Sequence, residues 1–252
     1  MKRFLLCFSV FNILSFASNA QGLKGMIKNA TKKDSTGKSS VDKMLGVSGG
    51  KTSLSNDEII SGLKEALKVG TEKGTNKLSA IDGYFKDAAI KVLMPGEAQK
   101  AEKTLRNMGL GKQVDNAILS MNRAAEDAAK SAAPIFLNAI KGMSFQDALG
   151  ILKGGDNAAT NYLKDKTTIS LTEAFRPVIE SSLKKVDATK YWNTVFTTYN
   201  KLSMEKVNPD LAAYVTEKAL YGIFYQVAQE EQKIRKDPMA RTSDILKKVF
   251  SN

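Results

Sequence analysis

From position 54 onward the apolar residues recur at helical spacing, and this pattern most constrains the fold. The clearest example is residues 113–133, where one continuous stripe is formed by Val114, Ile118, Met121, Ala125, Ala128 and Ala132. No run of alternating β-branched residues is long enough to predict a strand. The sequence therefore predicts an all-α fold, a single compact domain of about ten helices over residues 53–252.

Caps and helix breakers predict where these helices begin and end. Ser55 with Glu58, and Ser144 with Asp147, have the spacing of capping boxes, and glycine at 109 and 111 ends a helix over 97–108. A further helix is predicted over 81–93. The other expectations are a cap at Asp156, a bend or split at Pro177, a long helix from Asn208-Pro209 to about 236, and a last helix from Ser243 that folds back.

The first twenty residues have the composition of a secretory signal peptide. Lys2 and Arg3 precede an apolar stretch over residues 4–16, and Ser18-Asn19-Ala20 precedes Gln21. We predict cleavage after Ala20 and a periplasmic or secreted protein. A membrane-spanning helix needs about 20 apolar residues, and no later stretch has that character, so we expect no transmembrane span in the mature chain.

The chain contains no histidine and one cysteine, Cys7, which lies within the predicted signal peptide. The mature protein would therefore contain neither residue type. Structural zinc sites, Ser-His or Cys-His nucleophile pairs and disulfides all need them. We accordingly expect no metal site and no cofactor, and we expect that the protein is not an enzyme; any catalysis would depend on carboxylates, Lys, Tyr or hydroxyl groups.

Positive charge is concentrated ahead of the helical domain. Residues 21–52 contain seven Lys and two Asp, a balance of +5, among Gly, Ser, Thr and Asn. This composition predicts a flexible basic linker, which can make weak contact with an anionic membrane surface. The domain that follows has only a small positive excess, so we expect no nucleic-acid partner.

Polar residues beside the apolar stripes are the candidate site. Asn122, Arg123 and Glu126 lie within about one helical turn, and half-buried charges among alanines need partners. Such a cluster either holds helices together or lines a cleft.

A second group lies near the end of the long helix predicted to begin at 208. Glu230 continues its apolar face and is a candidate partner for Arg123, Arg176 or Arg241, whereas Glu231 and Arg235 have the spacing of an ordinary surface pair. The ligand-binding hypothesis groups seven residues: Asn122, Arg123, Glu126, Arg176, Glu230, Arg235 and Arg241.

Several stretches together carry a family resemblance. They are Leu93-Met94-Pro95-Gly96, Met121-Asn122-Arg123-Ala124-Ala125-Glu126, Asp147-Ala148, Ile151-Leu152, Gly154-Gly155, Ala158-Ala159-Thr160, Gly222-Ile223-Phe224, Glu230-Glu231, Ile234-Arg235, Asp237-Pro238, Arg241-Thr242 and Leu246-Lys247-Lys248-Val249-Phe250. In this combination the chain resembles the bacterial exported family called domain of unknown function 4197, over roughly residues 54–250. The resemblance implies envelope localisation and a helical fold. It implies no activity, because the family has no established one.

Two functions follow from these observations as hypotheses. The first is a non-enzymatic periplasmic or envelope protein that binds a small ligand or another envelope protein through the polar cluster. The alternative is a carboxylate-dependent hydrolase of an envelope glycan, in which Glu126 or Glu230 acts as a general acid.

Overall fold

The computed structural model describes residues 55–186, 210–241 and 244–249, together with positions 188, 192, 197, 200 and 201. The predicted signal peptide and basic linker lie outside the described residues, as does most of the aromatic segment around 191–202. Residues 54–252 form a compact unit of their own. Within the described ranges the regular structure is helical and contains no strand.

The described part of the chain contains eight α-helices and two 3-10 helices. In chain order the α-helices are α1 Asn56–Ser79, α2 Gln99–Asn107, α3 Gly111–Ala129, α4 Ala132–Lys141, α5 Phe145–Lys153, α6 Ala158–Lys184, α7 Leu211–Lys236 and α8 Asp244–Val249. The 3-10 helices are Gly96–Ala98 and Pro238–Ala240.

The structure contradicts the predicted helix over 81–93 and, of the bend or split predicted at Pro177, the split. Residues 81–93 form turns rather than a helix, because side chains of α3 bind their backbone, as described below. Pro177 does not split α6. Its neighbours Phe175 and Ile179 are fully buried, so packing holds both halves of α6 in one core and outweighs the hydrogen bond that proline cannot donate.

Both predicted capping boxes are confirmed. The Ser55 hydroxyl accepts from the Glu58 amide at 3.2 Å and the Ser55 amide donates to the Glu58 carboxylate at 2.8 Å; Ser144 and Asp147 repeat the arrangement at the start of α5. Asp156 does not cap α6. The start of α7 is capped by Asp210, which accepts from the Ala213 amide at 2.9 Å, whereas the predicted cap at 208 lies outside the described residues.

The helices α3 and α7 lie at the centre of the domain. Each packs against both α1 and α6, and they pack against one another. On α3 the alanines at 124, 125, 128 and 129 are completely buried, which lets the neighbouring helices approach closely. Phe136 of α4 meets Phe224 of α7 edge to face, with ring centroids 6.1 Å apart.

The last helix, α8, packs back against α1 with Val249 buried, as the sequence predicts. None of the helices within the described ranges combines the length and apolar character that crossing a bilayer requires.

Candidate functional site

Asn122 is completely buried on α3 and holds the non-helical segment 80–95, which we call the strap. Its Oδ1 accepts from the Val92 amide at 2.9 Å, and its Nδ2 donates to the Val92 carbonyl at 2.8 Å and to the Ile118 carbonyl at 2.7 Å. The side chain thus pairs with both backbone groups of one strap residue. Both ends of its amide are bound by protein atoms, which is the arrangement of a structural clamp.

Glu126, one turn further along α3, holds the other end of the strap. Its Oε1 accepts from the amides of Tyr84 and Phe85 at 3.1 and 3.2 Å, and its Oε2 accepts from Arg123 at 2.6 Å. Arg123 reaches on to the carboxylate of Asp82 at 2.7 Å. Hydrogen bonds from Lys86 and then Arg123 hold the pKa of Asp82 below its ordinary value. Of the two carboxylates at helical spacing from it, Glu126 and Asp127, Arg123 therefore pairs with Glu126.

The side chain of Tyr84 extends from the strap into the core. The ring is completely buried, and its hydroxyl donates to the Ala219 carbonyl of α7 at 2.7 Å. Burial raises the pKa of this phenol. A Cβ at Gly222 would overlap the Tyr84 ring, so glycine at this position makes room for it. Asn122, Arg123 and Glu126 therefore fix the strap to α3, and Tyr84 fixes it to α7.

Glu231 forms a second buried clamp, which the sequence analysis treats as an ordinary surface pair. Its carboxylate accepts from the Ala159 amide at 3.0 Å and from the amide and hydroxyl of Thr160, both at 2.8 Å. Arg235 pairs with it at 2.9 Å and donates to the Ile151 carbonyl at 2.8 Å. The two side chains are only 6% and 13% exposed, so the surface-pair prediction is wrong. A carboxylate from α7, rather than Asp156, caps the N-terminus of α6.

Glu230 pairs with none of the arginines that the sequence suggests. Its Oε1 accepts from Lys233 at 2.7 Å and from the Gln226 amide at 3.2 Å. Gly70 of α1 lies opposite Glu230: a Cβ built on Gly70 would lie 3.6 Å from the Cβ of Glu230. This glutamate therefore lies in the contact between α1 and α7.

The remaining two arginines lie at opposite ends of α7. Arg176 pairs with Glu180 and with the cap residue Asp210, at 2.9 and 2.7 Å. Arg241 donates to the carbonyls of Ile234 and Arg235, at 3.0 and 2.9 Å, and so binds the C-terminal end of the helix.

The seven candidate residues therefore do not line one cleft. Asn122, Arg123 and Glu126 lie on α3, Arg176 contacts the start of α7, and Glu230, Arg235 and Arg241 lie at its far end. At 1.5 Å per residue, the 26 residues of α7 span about 39 Å. Beside Glu231 and Arg235 there is a cavity of only about 20 Å³, enough for one water molecule. Within the described ranges, no group of three His, Cys, Asp or Glu residues is arranged as a metal site.

The structure places a larger concave site elsewhere, between α2, α3 and the start of α7. This groove has a volume of about 450 Å³. Its apolar lining residues are Met94, Ala98, Leu105, Leu110, Val114, Ala117, Met121, Val186, Ala188, Trp192 and Leu211. Its polar lining residues are Glu102, Gln113, Asn116 and Ser120. The lining is thus mostly apolar, with a few polar groups along α3.

Among the described residues of the groove lining, the charged side chain lies on α2. Glu102 is the charged member of the lining, and it pairs with Arg106 at 2.9 Å. Arg106 also pairs with Asp115 at 2.8 Å, on the outside of the groove. Among the lining residues that the structure describes there is no lysine or arginine, so these residues offer no cation to an anionic ligand.

A family model settles what the chain is related to. The family described as a protein of unknown function, DUF4197, matches residues 53–251. The chain belongs to this family. The match confirms the resemblance noted in the sequence. No curated protein and no solved structure matches the chain.

Within this DUF4197 chain, motifs that carry the resemblance form the two clamps. The stretch from Met121 to Glu126 holds the strap, and Glu230-Glu231 with Arg235 holds the start of α6. The sequence analysis missed the groove, because it assigns the stripe of α3 wholly to the core. One signal was present: Ala117 lies beside that stripe, three residues after Val114, and a small residue there leaves space against a large neighbour.

Proposed function

We propose that this DUF4197 chain is a non-enzymatic binding protein of the bacterial envelope, and that its ligand is an uncharged apolar chain held in the groove. The observation that carries this proposal is the groove itself, a mostly apolar concavity of about 450 Å³. The envelope location rests on the signal-peptide pattern of residues 1–20.

The size and the lining of the groove both suit a small apolar ligand. Small-molecule sites typically have volumes of about 300–1,000 Å³ and mostly apolar walls with a few polar groups that fix orientation. Each buried methylene contributes about 0.8 kcal/mol, so eight of them would supply about 6 kcal/mol before the cost of ordering the ligand. A dissociation constant in the tens of micromolar or weaker is therefore expected.

The charge of the lining favours a ligand without a negative head group. Among the described lining residues Glu102 is the charged one, and Arg106 outside the groove balances its charge, so none of them offers a free cation to an anionic head group. Gln113, Asn116 and Ser120 provide uncharged hydrogen-bonding groups on one wall of the groove. A neutral alcohol or ester at the end of an apolar chain would match these groups better than a carboxylate.

The carboxylates of the alternative hydrolase are engaged in other contacts. Glu126 accepts from two strap amides and Arg123, and Glu230 accepts from Lys233 and Gln226. Neither glutamate lines the groove. These contacts favour binding over glycan hydrolysis.

The test uses Trp192 as a reporter, because it is the single tryptophan of the chain and lines the groove. The uncharged fluorophore N-phenyl-1-naphthylamine is titrated into the purified protein, and energy transfer from Trp192 is measured. The test variant is Ala117→Phe, which fills the groove from α3. Displacing two methylene groups of the ligand would cost about 1.6 kcal/mol, roughly a fifteenfold loss of affinity.

The matched control is Ala213→Phe, since Ala213 is also a half-buried helical alanine but does not line the groove. Wild type and control should bind the probe saturably with equal affinity. Competition with 1-dodecanol should displace the probe at lower concentration than competition with dodecanoate. The proposal fails if wild type shows no saturable binding, or if Ala117→Phe binds as well as wild type.

A further inference from the structure

One wall of the groove, α2, is attached to the domain less firmly than the other helices. No residue of α2 is fully buried, and only Ala101 and Leu105 pack partly against the core. Within the described part of the chain, its principal contacts are with its sequence neighbours, the 3-10 helix Gly96–Ala98 and α3. Few buried apolar contacts are the usual property of an element that opens locally.

Glycines flank α2 on both sides. Gly109 has a φ of +80° and completes a C-terminal cap in which its amide donates to Arg106 at 3.1 Å and the Leu110 amide donates to Leu105 at 2.9 Å. Gly96, at the other end, has open space around the position of a Cβ. Both are positions at which the backbone can change direction without a side-chain clash.

The inner face of α2 is turned toward the groove. Glu102 and Leu105 of α2 lie three residues apart, which places them on one side of the helix, and both line the groove. The buried Ala98, which precedes α2, lines it as well. Moving α2 away from α3 would therefore open the groove along its length.

An ion pair joins the outside of α2 to α3. Arg106 of α2 meets Asp115 of α3 at 2.8 Å, and their side chains are 37% and 66% exposed. A pair as exposed as this contributes a factor of only about two to five to the closed state, and salt weakens it.

We infer that α2 is a lid, which turns about Gly96 and Gly109 to admit the ligand and is held closed by the pair between Arg106 and Asp115. The inference rests on the proposed binding function of the groove. It adds that entry into the groove requires a motion of α2, which limits the rate of association.

Stopped-flow association of N-phenyl-1-naphthylamine with the purified protein tests the lid. Asp115→Asn removes the ion pair without changing the groove lining, and at low salt it should raise the association rate constant about two- to fivefold. Added sodium chloride weakens the ion pair and should therefore raise the wild-type association rate toward that of the variant. The rate of the variant should change little with salt, because it lacks the pair and the probe is uncharged. The control is Asp156→Asn, which removes an equally exposed pair with Lys236 away from the groove and should behave as wild type.

Hydrogen exchange supplies a readout that does not depend on probe kinetics. Without ligand, the amides of α2 should exchange faster than those of α3, and bound probe should slow them. Equal association rates and equal salt responses in wild type and Asp115→Asn, with the probe still bound, would overturn the lid and leave the binding function in place. So would α2 amides as protected as those of α3. Absence of probe binding would instead refute the binding function.

Discussion

Replacing Glu231 by alanine should destabilise the protein more than any other single change to its charged residues. The carboxylate is 6% exposed and accepts from the Ala159 amide, from the amide and hydroxyl of Thr160, and from Arg235. Alanine would leave all four donors without this acceptor. Arg235 would keep its hydrogen bond to the carbonyl of Ile151.

The expected loss is about 3–5 kcal/mol of unfolding free energy. Removal of one member of a buried ion pair typically costs that much, because the other charge stays buried without compensation. Loss of a helix cap alone costs about 1 kcal/mol, so most of the expected loss comes from the buried charge of Arg235, which Glu231 would no longer balance. Replacing both residues, with Glu231→Ala and Arg235→Met together, should therefore recover at least about 1 kcal/mol relative to the single variant.

Urea unfolding followed by circular dichroism at 222 nm measures these differences. Glu180→Ala is the control, since Glu180 also pairs with an arginine one helical turn away but is exposed on α6, and it should cost under about 1 kcal/mol. The reasoning would be refuted if Glu231→Ala cost no more than Glu180→Ala. It would also be refuted if the double variant were less stable than Glu231→Ala alone.

Two further predictions concern the strap. Gly222→Ala should destabilise the protein by about 1–3 kcal/mol in the same assay, because its Cβ would overlap the buried Tyr84 ring. The control is Gly150→Ala, which has open space around it in α5 and should be neutral or stabilising. Equal effects of the two substitutions would contradict this prediction. The pKa of Asp82 lies below its ordinary value of 3.8, so its carboxylate adds stability above that value and loses it as the pH falls through the lowered pKa. Asp82→Asn should therefore flatten the loss of stability below about pH 4, and an unchanged pH profile would sink this account.

Much of the helical framework could be predicted from local sequence. The capping boxes at Ser55 and Ser144 act within one turn of the backbone, and the glycine at 109 ends α2 by its own conformation. The apolar stripe of α3 likewise depends on spacing alone. Signals of this kind survive folding because they require nothing from distant parts of the chain.

The errors arise where distant residues decide the local structure. The strap contains apolar residues at spacings compatible with a helix, yet Asn122 and Glu126 bind its backbone from about 30 to 42 positions away. Pro177 is tolerated because Phe175 and Ile179 are buried on either side of it. Glu231 looked like half of a surface pair, although it lies four residues after Val227 and three before Ile234, both of them buried.

The candidate site shows the same limit. Sequence reasoning identified charged residues that need partners, and Glu126, Glu230 and Arg235 do have them in the structure. It could not show that those partners are mostly backbone groups and neighbouring side chains. Nor could it show the groove, because a cavity depends on how α2, α3 and α7 meet.

The most direct test of the central claim is to identify what the groove holds when the protein is isolated from its own envelope. Native mass spectrometry of gently purified wild-type protein should show one bound molecule of an uncharged apolar compound. The Ala117→Phe variant, with a filled groove, should lack it, and Ala213→Phe should retain it. A wild-type protein that carries no ligand, or equal occupancy in Ala117→Phe and wild type, would contradict the claim that this groove is the binding site.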